Sequence, residues 1–237
     1  MSSRKFTRSI IVGGAAIVVA GGSYGIVTAT SGSSPAAAGS SSAAAGSGGF
    51  RAGGGGSNAR SGPAAGGASG TVASLSPPNF IMTTSAGQKV TVGEASSTTY
   101  QKGTRPASAN AITTGERVLA LGTTSGTTIT ATQVIVQPAG GGSAASPAAK
   151  VIPFQRGTPA TSKQVGQIPA GYSQGSGTIV SGPVANRATE AALGAYPGGI
   201  VDRVVKLSNG EYEVHNIGVN WPHHIFVDQD FKVVGAG

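Results

Sequence analysis

Apolar and polar positions alternate in short runs along two parts of this chain. In "GQKVTV", Val90 and Val92 sit two residues apart among polar neighbours, the period of a half-buried strand. "GTVASLS" and "NFIMTT" flank Pro77-Pro78, and "ERVLALGT" and "TTITATQVIVQP" are separated by the turn residues "TSG". Five short strands and no helical period over 70–138 predict an all-β unit, a small barrel or sandwich. From 183 onward the period changes. "PVANRATEAALGAY" spaces Val184, Ala188, Ala191, Ala192 and Ala195 as one face of a helix. Ser181 stands where a cap belongs, and Pro197-Gly198-Gly199 ends the run. "GIVDRVVKLS", "GEYEVHNI", "HHIFVDQ" and "FKVVGA" then read as four strands, with Asn209-Gly210 as a hairpin turn. A helix on an antiparallel meander, an α+β unit, is expected over 183–237.

Composition divides the rest. Residues 30–69 hold 33 Gly, Ser or Ala among 40 positions. So little apolar surface cannot offset the entropy of ordering the chain, so a disordered tether is expected there. A Gly-rich coil of that length spans roughly 35 Å. Residues 139–182 are also weakly apolar and read as a linker. The expected fold class is therefore two small domains, 70–138 and 183–237, with Gly/Ser/Ala-rich linkers.

The first 29 residues carry an address. Arg4, Lys5 and Arg8 precede an uncharged apolar run from Ile10 to Val27, the n-region and h-region of an export signal. At about 1.5 Å per residue the run covers roughly 27 Å, close to the hydrocarbon thickness of a bilayer. Cleavage after Ala29, or retention of 10–27 as a membrane anchor, both fit. Either way the remainder is expected outside the cytoplasm, secreted or associated with the envelope.

Charge and chemistry narrow the function. The net charge of +8 is spread through the signal and the linkers, while 183–237 carries four basic residues against six acidic ones. A nucleic-acid footprint needs basic residues clustered on a folded face, so no nucleic-acid partner is expected. The absence of cysteine removes disulfides, thiolate metal ligands and a cysteine nucleophile. "GYSQG", Gly171–Gly175, fits a nucleophile-elbow pattern at Ser173. That motif needs a strand entering, a helix leaving and a large sheet, and the flanks here supply none of them. No enzymatic activity and no cofactor are expected.

Two resemblances follow from these residues. "GTVASLSPPNFIMTTSAGQKVTV", the Thr99-Tyr100 step, "GERVLALGT" and "TITATQVIVQP" resemble a bacterial extracytoplasmic domain family with an OB-like barrel. That likeness carries no catalytic residue. Ala188, Ala191, Pro197-Gly198, Val201, Val204, Gly210, Tyr212-Glu213-Val214 and Val227-Asp228 resemble the PepSY domain family. This second resemblance implies an exported protein that restrains or modulates a peptidase. The chain departs from that family's pattern after Asp228, where Gln229-Asp230-Phe231 replaces a glycine turn.

The candidate site lies in "EVHNIGVNWPHH", which contains all three histidines and the single tryptophan. Trp221, His223, His224 and Tyr212 are expected to bind a protein or peptide of the envelope, because aromatic residues bring large contact area at low entropic cost. Asp202, Glu211, Glu213, Asp228 and Asp230 are placed as an acidic rim. An alternative uses metal. If 215 pairs with 224, His215 and His224 share a face about 5 Å apart at Cβ, with Glu213 as a third ligand. A one-residue slip would separate them. A structural spacer with no specific ligand is the third reading.

Overall fold

The computed structural model describes residues 62–138, 151–157 and 163–237. The export signal, with its apolar run at 10–27, and most of the expected tether lie outside the described residues. No helix among the described residues is long and apolar enough to cross a membrane. The chain is mainly β, with one α-helix among the described residues.

The first half forms β1 (Ala64–Ser76), β2 (Asn79–Thr84), β3 (Lys89–Lys102), β4 (Arg105–Ala107), β5 (Arg117–Ser125) and β6 (Thr128–Val136). β1 pairs with both β2 and β5, β2 pairs with β3, and β5 pairs with β6. A parallel β3–β6 contact closes the circuit. This ring of five strands has no free edge of its own, and β4 is a short addition to β3. Alternation decides what fills it: Val72, Phe80, Met82, Val90, Val92, Ile129 and Val134 point inward and are fully buried.

In the second half come β7 (Ile152–Pro153), β8 (Val165–Gly166), β9 (Thr178–Val180), α1 (Gly182–Ala195), β10 (Ile200–Lys206), β11 (Tyr212–Ile217), β12 (Val219–Trp221), β13 (His224–Val227) and β14 (Val233–Ala236). β10, β11, β13 and β14 are the expected meander, antiparallel throughout. The helix starts with a proline in its first turn, after an extended Ser181 whose side chain makes no cap hydrogen bond. Its buried stripe is Ala185, Ala188, Thr189, Ala192 and Leu193. Val184, expected on that stripe, is exposed. The stripe is therefore rotated toward the small alanines, which let the helix lie close on Val201, Val204, Val214 and Ile225.

The expected boundaries shift in two places. β1 begins at Ala64, inside the composition-defined tether, and it pairs with β10 through Gly67↔Val201 and Ala68↔Ile200. The five-strand ring and the meander therefore share one hydrogen-bonded sheet, not two separate ones. Thr84 Oγ1 also donates to Gly198 O at 2.8 Å, and Gln88 Nε2 donates to Gly218 O at 2.9 Å. The expected linker contributes too: β7 pairs with β12, β8 with β14 and β9 with β10. Glycine and alanine are poor predictors here because their small size permits close strand approach, which looks in composition like disorder.

Candidate functional site: the histidine face of the meander

Side chains alternate along each strand, so the meander has two faces. Val204, Tyr212, Val214, Ile225 and Val227 face α1. The opposite face carries Arg203 on β10, Glu213 and His215 on β11, and His224 and Phe226 on β13. A register shift between Val201 and Arg203 bulges β10 at Asp202, and bulges re-aim side chains. Here the bulge brings Asp202 to within hydrogen-bond distance of His215.

The register is the one that joins the two histidines: His215 pairs directly with His224. Their ring centroids are 5.3 Å apart, with planes inclined at 51°. Each ring is held from one side by a carboxylate. His215 Nδ1 is 2.6 Å from Asp202 Oδ1, and His224 Nδ1 is 2.7 Å from Glu213 Oε1. An ionised carboxylate can only accept, so Nδ1–H donates in both pairs. Asp202 also meets Arg203, whose Nη1 lies 3.5 Å from Oδ2. Glu213 is 3% exposed and Arg203 5%, so both charges are enclosed within this face.

The 163–180 segment covers it. Tyr172 places its hydroxyl 3.1 Å from His224 Nδ1 and packs edge-on against Phe226 at 4.8 Å. Burial, reinforced by the Glu213 carboxylate and opposed by Arg203, pushes the Tyr172 phenol well above its ordinary range. It therefore stays a neutral hydroxyl. Tyr172 is the site residue that sequence reasoning passed over. The "GYSQG" motif around Ser173 occupies turns between β8 and β9, with no helix leaving it.

The other expected residues fall elsewhere. Trp221, expected as a surface anchor, is 1% exposed and belongs to the core under α1. Its Nε1–H donates to Lys163 O at 2.7 Å and Tyr196 meets its ring edge-on at 5.5 Å. Tyr212 is likewise buried on the helix side and stacks on Phe231 at 5.5 Å. Neither offers a surface to a partner. Glu213 does not act as a third ligand beside the two histidines: it is bound to a nitrogen of His224, and no group of three His, Asp or Glu side chains among the described residues is arranged to hold a metal. The acidic rim also divides. Asp202 and Glu213 join the histidine face, whereas Asp228 is occupied in its own turn, accepting from Asp230 N at 2.9 Å and Lys232 N at 2.8 Å.

His223 lies beside this pair in sequence, and its Nδ1 is 3.3 Å from the Asn216 carbonyl. Burial lowers its pKa below the ordinary value; the Asn216 carbonyl opposes this, and His215 and His224 add to the lowering. The folded chain thus resists a proton that the unfolded chain accepts near pH 6.5. Stability from this residue is intact above about pH 6.5 and is lost as pH falls from there toward the lower folded value. His223→Gln should flatten the decline of the urea midpoint between about pH 7 and 5. Parallel wild-type and variant curves would refute that assignment.

No family model, curated protein or solved structure matches this chain. What the fold and site define is a mainly-β protein whose sheet carries, on the side away from its helix, a half-buried acid–histidine–tyrosine network.

Proposed function

We propose that the chain is a non-enzymatic, exported bacterial envelope protein that binds an extended segment of a protein partner by adding it as a strand at the β14 edge. In this reading the N-terminal half is an OB-like barrel and the C-terminal half a PepSY-like unit. A peptidase is the partner class that the PepSY resemblance implies, and the membrane is engaged through residues 10–27 where that run is retained. The observation that carries the proposal is that the β14 edge already accepts such a segment from the chain itself. β8 lies antiparallel on it, with Gly166 opposite Gly235 and Gln167 N donating to Val234 O at 2.8 Å. The two backbones approach so closely that a Cβ on Gly235 would run into the Gln167 carbonyl. Main-chain bonds supply affinity in such strand addition, and pockets for alternate side chains supply specificity.

The test opens the edge and offers a replacement. Gly166 has φ +71°, which proline cannot adopt, so Gly166→Pro in the full chain should release β8. A synthetic peptide spanning 163–168 should then bind the variant saturably, while the wild type, with its edge filled, binds it far more weakly. A variant that keeps its far-UV spectrum but takes up no peptide would overturn strand addition.

A further inference from the structure

We propose that His215 and His224 form a binding site for a divalent transition metal ion, Cu²⁺ most tightly and Zn²⁺ next, with both rings ligating through Nε2. This does not depend on strand capture; it uses a different face of the sheet. Metal-binding histidines characteristically donate their other ring N–H to a carboxylate, which sets the tautomer and raises the basicity of the ligating nitrogen. Both rings meet that condition, through Asp202 at 2.6 Å and Glu213 at 2.7 Å.

A metal–nitrogen bond of about 2.0–2.1 Å, with the ring centroid about 1.2 Å behind the nitrogen, puts each centroid about 3.2 Å from the ion. Two rings at a tetrahedral angle then have centroids about 5.2 Å apart. The observed separation is 5.3 Å. The register that pairs 215 with 224 thus gives a ring spacing that two imidazoles on one ion can share, and a one-residue slip would destroy it.

Apart from the rings, Asp202 and Glu213 contribute two negative charges and Arg203 one positive, one negative charge in excess on this face. Arg203 is already counted in that balance: its Nη1 lies 3.5 Å from Asp202 Oδ2, and its buried Nε has no hydrogen-bond partner among the described residues. A bound dication would turn that excess into one positive charge, and each ligating ring would relay it to a carboxylate. With two protein ligands the ion retains open positions for water or a donor group from a partner. Imidazole ligation favours Cu²⁺ over Zn²⁺ in the usual order of divalent affinities.

The experiment uses the full chain and ¹⁵N ring spectra of its three histidines, first alone and then with Cu²⁺ or Zn²⁺. Before metal, His215 and His224 should both show the Nδ1–H tautomer. One equivalent of Zn²⁺ should then move both Nε2 signals and leave His223 in place. Calorimetric titration should give one site, lost on His215→Ala or His224→Ala and retained in His223→Ala. Asp202→Asn should keep the site but weaken it about 10–100-fold, the effect typical of a carboxylate behind a ligating ring. Absence of saturable binding overturns the proposal. So does binding that survives both His215→Ala and His224→Ala, or a free-state spectrum with the Nε2–H tautomer in either ring. The tautomer readout needs no substitution, so a variant that fails to fold does not shield the proposal.

Discussion

Trp221→Ala should be among the most damaging single changes in this protein, and its damage should be to the fold. The indole is 1% exposed, is packed in the cluster beneath α1 and meets Tyr196 edge-on. Truncating a buried Trp to Ala typically costs about 3–5 kcal/mol, through lost transfer energy and the cavity left behind. For a folded region of this size that is a fall in Tm of roughly 6–20 °C. The change also leaves the Lys163 carbonyl, which now accepts from the indole at 2.7 Å, to find another donor. Lys163 loses the ring beneath its ammonium, 5.1 Å from the centroid. Trp221→Phe, which keeps most of the area and drops the N–H, should cost clearly less, about 1 kcal/mol for the hydrogen bond plus a smaller packing loss. Calorimetry separates this from the surface-anchor expectation. An exposed anchor would leave both variants within about 0.5 kcal/mol of wild type.

What the sequence shows of this fold depends on how much of each element's surroundings is local. Val90 and Val92 alternate because one face of β3 is buried within the ring, and that pattern is visible in six residues. The meander from β10 to β14 is visible for the same reason, aided by Asn209-Gly210, where Gly210 takes φ +88°. Trp221 is different. Its burial depends on Ile152 of β7, paired opposite it, and on Lys163, 58 residues away. Both partners sit in a stretch whose composition reads as a linker. An aromatic residue near a hairpin end looks exposed until the covering segment is known. The histidine pair stood between the two cases: the spacing allowed His215 to meet His224, but period-two alternation leaves register undecided until the turn is built. Its carboxylate partners were harder still. Asp202 reaches His215 only because β10 bulges, and a bulge leaves no trace in hydropathy.

The same dependence on close backbone approach gives the second large effect. Gly66 lies on β1 just where that strand passes β10, and a Cβ there would run into the Val201 carbonyl, with Thr124 Oγ1 at 3.1 Å. Val201 cannot retreat freely, since it is itself fully buried beneath the helix. The obstruction is main chain, so no side-chain rotation relieves it, and Gly66→Ala must part β1 from β10 or distort both. Overpacking of this kind typically costs about 1–3 kcal/mol, and Gly66→Val should exceed it because two further carbons enter the same gap. The loss should also be local. Amide exchange should accelerate at Gly67, Ala68, Ile200 and Val201, where the ring of five strands meets the meander, while Val90 and Val92 inside the ring stay protected. Gly62→Ala is the control: among the described residues nothing lies within 4 Å of its added carbon, and it should change neither Tm nor exchange. If Gly66→Ala behaved like that control, the β1–β10 junction would not be what joins the two halves. If instead protection collapsed throughout both halves together, the shared sheet would be a single cooperative unit, and the junction would be its point of coupling.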